Sequence, residues 1–78
     1  MKTLNLYSRP GCHLCDELAR ELVPMLRGRA DVRIVNIDGD RDLKKLYGLR
    51  IPVLTAAGQE LSEYPLDVEA VEAYLVSV

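Results

Sequence analysis

The sequence contains no tryptophan and no phenylalanine, and its only aromatic residues are Tyr7, Tyr47, Tyr64 and Tyr74. Single-stranded nucleic acid stacks its bases on aromatic platforms, and four scattered tyrosines build none. A basic field is missing too, since ten Lys and Arg stand against twelve Asp and Glu for a net charge of −2. Without a Lys/Arg cluster, neither nucleic acid nor an anionic membrane is an expected partner. No run of about 18 apolar residues occurs, and Met1-Lys2-Thr3-Leu4-Asn5-Leu6 alternates where a secretory signal would carry about 7–15 apolar residues. A cytoplasmic protein is therefore expected. Two cysteines and one histidine are too few for a disulfide-rich scaffold, and a zinc site within one chain would have to draw on distant carboxylates.

What is present is the composition of an ordinary globular protein, 49% hydrophobic and 28% charged over 78 residues. That length predicts one domain over residues 1–78 with an aliphatic core. Lys2 to Tyr7 reads as a strand, ended by the turn residues Ser8-Arg9-Pro10-Gly11. Leu14, Leu18, Leu22 and then Met25 or Leu26 recur at helical spacing. Pro24 should end this helix near Val23 or kink it before a last turn finishing at Gly28. Val32 to Ile37 predicts a second strand and Arg41 to Tyr47 a short helix, with Asp40 before it and Gly48 as its C′ residue. Ile51–Thr55 and Gln59–Ser62 flank Ala56-Ala57-Gly58 as a hairpin. In the last helix Asp67 is the cap, Leu66 and Val71 a hydrophobic staple, and Val68, Val71, Leu75 and Val78 the buried stripe. The order is β-α-β-α-β-β-α, an α/β fold.

Cys12-His13-Leu14-Cys15 falls where the first turn meets the first helix. Unpaired N–H groups and the positive end of the helix dipole at that point favour a thiolate over a thiol. The dipole alone contributes about 0.3–1 kcal/mol, less than the 1.36 kcal/mol of one pKa unit, so N–H···S contacts and a cation are needed as well. Arg9 and protonated His13 are the cations at hand. A disulfide closing so small a loop adds only roughly 2 kcal/mol of stability, which favours a chemical over a structural purpose. Cys12, at the end of the turn, is read as the nucleophile and Cys15, inside the first helical turn, as the resolving thiol. The competing readings are metal or iron–sulfur binding across a dimer through the same cysteines, and an interaction module in which they are incidental.

Tyr7-Ser8-Arg9-Pro10-Gly11-Cys12-His13-Leu14-Cys15 resembles the strand end and redox motif of glutaredoxins, the small branch of the thioredoxin fold, with Arg9 at the family's lysine position. Ile51-Pro52-Val53 is similar to the family's cis-proline loop, and the element order matches along essentially the whole chain. The compact glutaredoxin-like proteins of bacteria are nearer than the classical members. The resemblance implies a four-stranded mixed sheet with helices on both faces, and a monomeric thiol–disulfide oxidoreductase without a bound cofactor. Cys12 and Cys15 would cycle between dithiol and disulfide, His13 and Arg9 would tune the pair, and Tyr7, Ile51, Pro52 and Asp67 would contact substrate. The substrate would be a protein disulfide or a glutathione mixed disulfide, and the electrons would come from glutathione or a reductase. The backbone N–H and C=O of Ile51, before a cis Pro52, are expected to pair with an extended substrate. Ser62-Glu63-Tyr64-Pro65-Leu66 stands where the family has glycines that let the backbone approach glutathione.

Overall fold

Lys2–Ser8 forms β1, and the alternation of its side chains sorts the molecule into layers. The structure, a computed structural model, describes residues 2–77. Leu4 and Leu6 point to one face and Tyr7 to the other. The chain continues through α1 (His13–Leu26), β2 (Ala30–Asn36), a 3₁₀ turn (Ile37–Gly39), α2 (Arg41–Tyr47), β3 (Val53–Ala56), β4 (Gln59–Ser62) and α3 (Val68–Val76). The strands form one sheet in the order β2-β1-β3-β4, parallel between β1 and β2 and antiparallel elsewhere. This is the thioredoxin-like arrangement.

Leu18, Leu22 and Leu26 of α1 and Val71 of α3 close over Leu4, Leu6, Leu54 and Ala56 on the first face. Each large side chain buried there contributes about 1.5–3 kcal/mol. On the second face a smaller cluster of Ile37, Tyr47 and Val53, with Leu43 and Ile51 packed against it, seats α2 and the chain leading into β3.

Several boundaries differ from the sequence reading. The first helix does not stop near Val23 but takes the alternative of a last turn past Pro24, running to Leu26 because Leu22 and Leu26 are buried on either side of the proline and hold that turn. Gly28 then takes φ +71°, the left-handed conformation that follows a helix end. The second strand begins at Ala30, in register with Lys2, and ends at Asn36. Ile37 leaves the sheet to become fully buried in the 3₁₀ turn. Gly48 has an ordinary right-handed φ of −55°, so positive φ is not its reason. A Cβ there would stand 2.4 Å from the Lys44 carbonyl oxygen, and it is this close approach that demands glycine. Leu14 and Val68 are 43% and 51% exposed, outside the core to which their helical spacing assigned them. Val78 lies outside the described residues.

The hairpin turn between β3 and β4 comprises Ala57 and Gly58, with φ of +53° and +78°. Two successive positive φ values make a type I′ turn, which suits Asn or Gly at its first position far better than Ala. Ala57→Asn is therefore expected to stabilise the protein by about 1 kcal/mol and raise Tm by about 4–8 °C. Differential scanning calorimetry checks this, and an unchanged or lower Tm would show that the turn carries no strain.

Candidate active site

Gly11, with φ +83°, turns the chain from β1 into α1. The Cys12 N–H closes that turn on the Arg9 carbonyl at 3.2 Å. Cys12 is the N-cap of α1, and its Sγ accepts the Cys15 N–H at 3.2 Å. Oxygen of Ser, Thr, Asp or Asn ordinarily fills this capping role. Here a sulfur does, so the N–H that completes the helix end also points at the atom on which negative charge would be stabilised. Cys12 and Cys15 are joined as a disulfide with their Cα atoms 5.2 Å apart. Cys15 is 2% exposed and Cys12 is half-buried, so the bridge reaches the surface through Cys12.

The side chain of His13 is exposed, with Nε2 3.0 Å from Oε1 of Glu17, one helical turn further on. The other carboxylate oxygen, Oε2, accepts the Tyr64 hydroxyl at 2.7 Å. The Tyr64 hydrogen bond, aided by His13 and Arg20, holds the Glu17 carboxyl below its ordinary pKa, while the same bond raises the Tyr64 phenol. Arg9 turns to the 3₁₀ turn, its Nη2 and Nε 3.1 and 3.2 Å from Oδ1 of Asp38. It therefore presents a paired rather than a free cation at the redox turn.

The Ile51–Pro52 bond is cis and Pro52 is buried. Tyr7 faces Val53 across the sheet, so one step along each strand places Ser8 and Pro52 at the end of the sheet that carries the cysteines. The Ile51 N–H donates to the Tyr47 carbonyl at 3.0 Å. That corrects the expectation that this N–H is free for a substrate strand: the turn leaving α2 uses it first. Tyr7 packs on Tyr47, ring centroids 4.6 Å apart, and is a wall of the second cluster. Asp67 caps α3 through Oδ1 to the Ala70 N–H at 2.9 Å, and its own N–H reaches Ser62 Oγ at 2.8 Å. It also lines a cleft of about 360 Å³ together with Glu63, Tyr64 and Pro65. A second cleft of about 250 Å³ lies between Arg9, Pro10, Asp16 and Ile34.

Three residues of this region escaped the sequence reading as site residues. Glu17 was legible from its spacing to His13, whereas Tyr64 and Asp38 reach the site from elements that no local pattern connects to it.

The chain matches the Glutaredoxin-like domain (DUF836) over residues 3–76. It belongs to the glutaredoxin-like family. The solution NMR structure of protein Ne2328 from Nitrosomonas europaea is similar to this glutaredoxin-like chain at 38% identity and a TM-score of 0.83, over 94% of this chain and 89% of that one. An X-ray structure of protein XcR50 from X. campestris is similar at 42% identity and a TM-score of 0.70, over 92% and 93% of the two chains. No curated protein matches. Family membership and a CxxC pair at disulfide distance are together consistent with a redox role for this glutaredoxin-like protein. Among the described residues no three His, Cys, Asp or Glu side chains gather as metal ligands, and no helix is long and apolar enough to cross a membrane.

Proposed function

We propose that the protein is a thiol–disulfide oxidoreductase acting on protein disulfides. In the dithiol form the Cys12 thiolate attacks a substrate disulfide, forming a mixed disulfide and releasing one substrate thiolate. Cys15 then displaces the second substrate sulfur, closing the Cys12–Cys15 bridge, so two electrons pass to the substrate. A dithiol or thiol donor, glutathione or a reductase, restores the pair. The observation that carries this reading is the capping geometry. A half-buried sulfur at a helix N-terminus accepts a backbone N–H, beside a partner sulfur that is almost fully buried. The exposed member is suited to meet substrate, and the buried one to act only within the complex.

In the reduced protein Cys12 is expected to alkylate with an apparent pKa of about 3.5–7.5. Iodoacetamide rates against pH, followed by peptide mapping, measure this. Preferential labelling of Cys15, or a midpoint near the unperturbed value of about 8.5, would reverse the assignment.

Glutathione is expected to bind weakly, with saturation only above about 1 mM. Glu63, Tyr64 and Pro65 stand where close backbone approach would require glycine, and Tyr64 is fixed to α1. Chemical-shift titration with reduced and oxidised glutathione tests this. Saturation far below that range, centred on Cys12, Ile51 and Asp67, would make glutathione the partner instead.

A further inference from the structure

The two edges of the sheet are unlike. β4 is four residues long, its pairing with β3 shifts register between Leu54 and Thr55, and Glu60 on it is held by Arg50. Short length, an irregular ladder and fixed charge are usual means of keeping a strand edge from pairing further. β2 has neither of the first two. It runs for seven residues, Ala30–Asn36, in unbroken register with β1, and it holds no proline, glycine or lysine. Its outer edge carries no strand among the described residues.

The side chains along that edge sort by face. Val32 and Ile34 stand opposite Leu4 and Leu6, so with Ala30 they share the face covered by α1. The helix leaves this apolar stripe partly open. Ile34 is 60% exposed, and Val23 of α1, which lines a cleft of about 350 Å³ with Ala30 and Val32, is 42% exposed. Asp31 and Arg33 lie on the other face, opposite Thr3 and Asn5, and both are exposed. Neither has an ion-pair partner among the described residues. A single charge on an edge strand repels a second copy of itself, whereas opposite charges two positions apart can each meet the other.

We propose that the outer edge of β2 is a docking surface for a second copy of this chain, the two strands pairing antiparallel about a two-fold axis at Val32. That register sets Asp31 of each protomer against Arg33 of its partner, twice by symmetry, and Ala30 against Ile34 on the apolar face. The neighbouring registers do not. An axis at Asp31 or at Arg33 puts like charges face to face, which destabilises a sheet, and an axis at Ile34 sets Arg33 against Val35 and carries Asp31 past the end of the partner strand. Ser8 faces Asn36 in register, so the redox turn stands where β2 ends, and the antiparallel pairing sends the two redox turns to opposite ends of the joined sheet. Neither blocks the other, and the inference is independent of the oxidoreductase reading. It departs from the monomer that the family resemblance implies.

Edge pairing over so few residues is a small contact, so half-association is expected at roughly 100 µM, and far below that concentration the chain is a monomer. The test uses the oxidised protein, whose two cysteines are already joined to each other. Sedimentation equilibrium from about 10 µM to about 1 mM follows wild type, Asp31→Arg, Arg33→Asp and an equimolar mixture of the two variants. Each variant alone opposes like charges at both contacts and is expected to associate at least about tenfold more weakly than wild type. The mixture is expected to recover the wild-type affinity within about threefold, because each variant carries the charges that the other lacks. Both substituted side chains are exposed, so the variants should fold, and matching thermal melts confirm it. A wild type that stays monomeric at about 1 mM overturns the proposal and leaves the edge to a different partner or to none. Dimers that survive both substitutions lie on another surface, and a mixture no stronger than its components means a register other than the one at Val32; both overturn it as well. NMR spectra over the same range should show concentration-dependent shifts confined to residues 30–36 and Val23. Shifts centred instead on Leu46 and Leu49, which are also exposed, would assign the contact to the end of α2 and overturn the proposal.

Discussion

On the proposed oxidoreductase reading, Cys12→Ser is expected to slow disulfide exchange by about a thousandfold or more, whereas Cys15→Ser is expected to halt at a stable mixed disulfide on Cys12. This contrast is the largest effect expected of any pair of substitutions in the molecule. It follows from the unequal exposure of two sulfurs only three residues apart. With Cys12 replaced, the remaining thiol is the one that is 2% exposed, and an incoming disulfide cannot align with it. With Cys15 replaced, the first step proceeds but nothing inside the complex displaces the product. Intact-mass spectrometry after incubation with an oxidised peptide reads both outcomes. An adduct that maps to position 15, or a Cys12→Ser protein with more than a tenth of wild-type rate, would require the roles to be exchanged.

Leu54→Ala is expected to cost about 2–5 kcal/mol. At 0.05–0.15 kcal/mol per residue the whole chain has roughly 4–12 kcal/mol to lose, so this substitution removes a large part of its stability. Leu54 is fully buried in β3, opposite Leu6 of β1, and faces the leucines of α1 and Val71 of α3. A cavity there has rigid walls on the strand side and two helices above it. Ile34 on β2 is the control, since it is 60% exposed and its truncation should alter stability by no more than about 0.5 kcal/mol. Chemical denaturation of both variants decides the matter. A loss below about 1 kcal/mol for Leu54→Ala would mean that the layers can collapse around the gap.

The elements that punctuate the sequence were legible in it. Asp40 and Asp67 announce α2 and α3 because a capping side chain is a local device, and the run Arg41 to Tyr47 coincides with the helix observed. The redox turn was legible for the same reason, since strand end, turn and helix start are contiguous. Periodicity carried less. Leu14 and Val68 have the spacing of core residues, but each sits in the first turn of its helix, beyond the height at which the sheet and the opposite helix provide cover. Least legible were the polar contacts that complete the site. Arg9 could have faced any of several carboxylates, and the choice of Asp38 depends on how the 3₁₀ turn after β2 comes to rest. That Ile51 has no free N–H depends likewise on the tight exit from α2, which Gly48 permits by lacking a Cβ.

The order of strands also bears on how the chain is made. During synthesis Leu4 and Leu6 find α1 and β2 within the first 36 positions, so one edge of β1 is paired early. Its other edge waits for β3, with Asn5 opposite Thr55, a difference of fifty positions. At about 5–20 residues per second that wait is roughly 3–10 s. An unpaired, apolar strand edge invites another nascent chain to complete it. The interval of greatest aggregation hazard is thus written into the topology, and it ends when the four residues of β3 slot in beside β1.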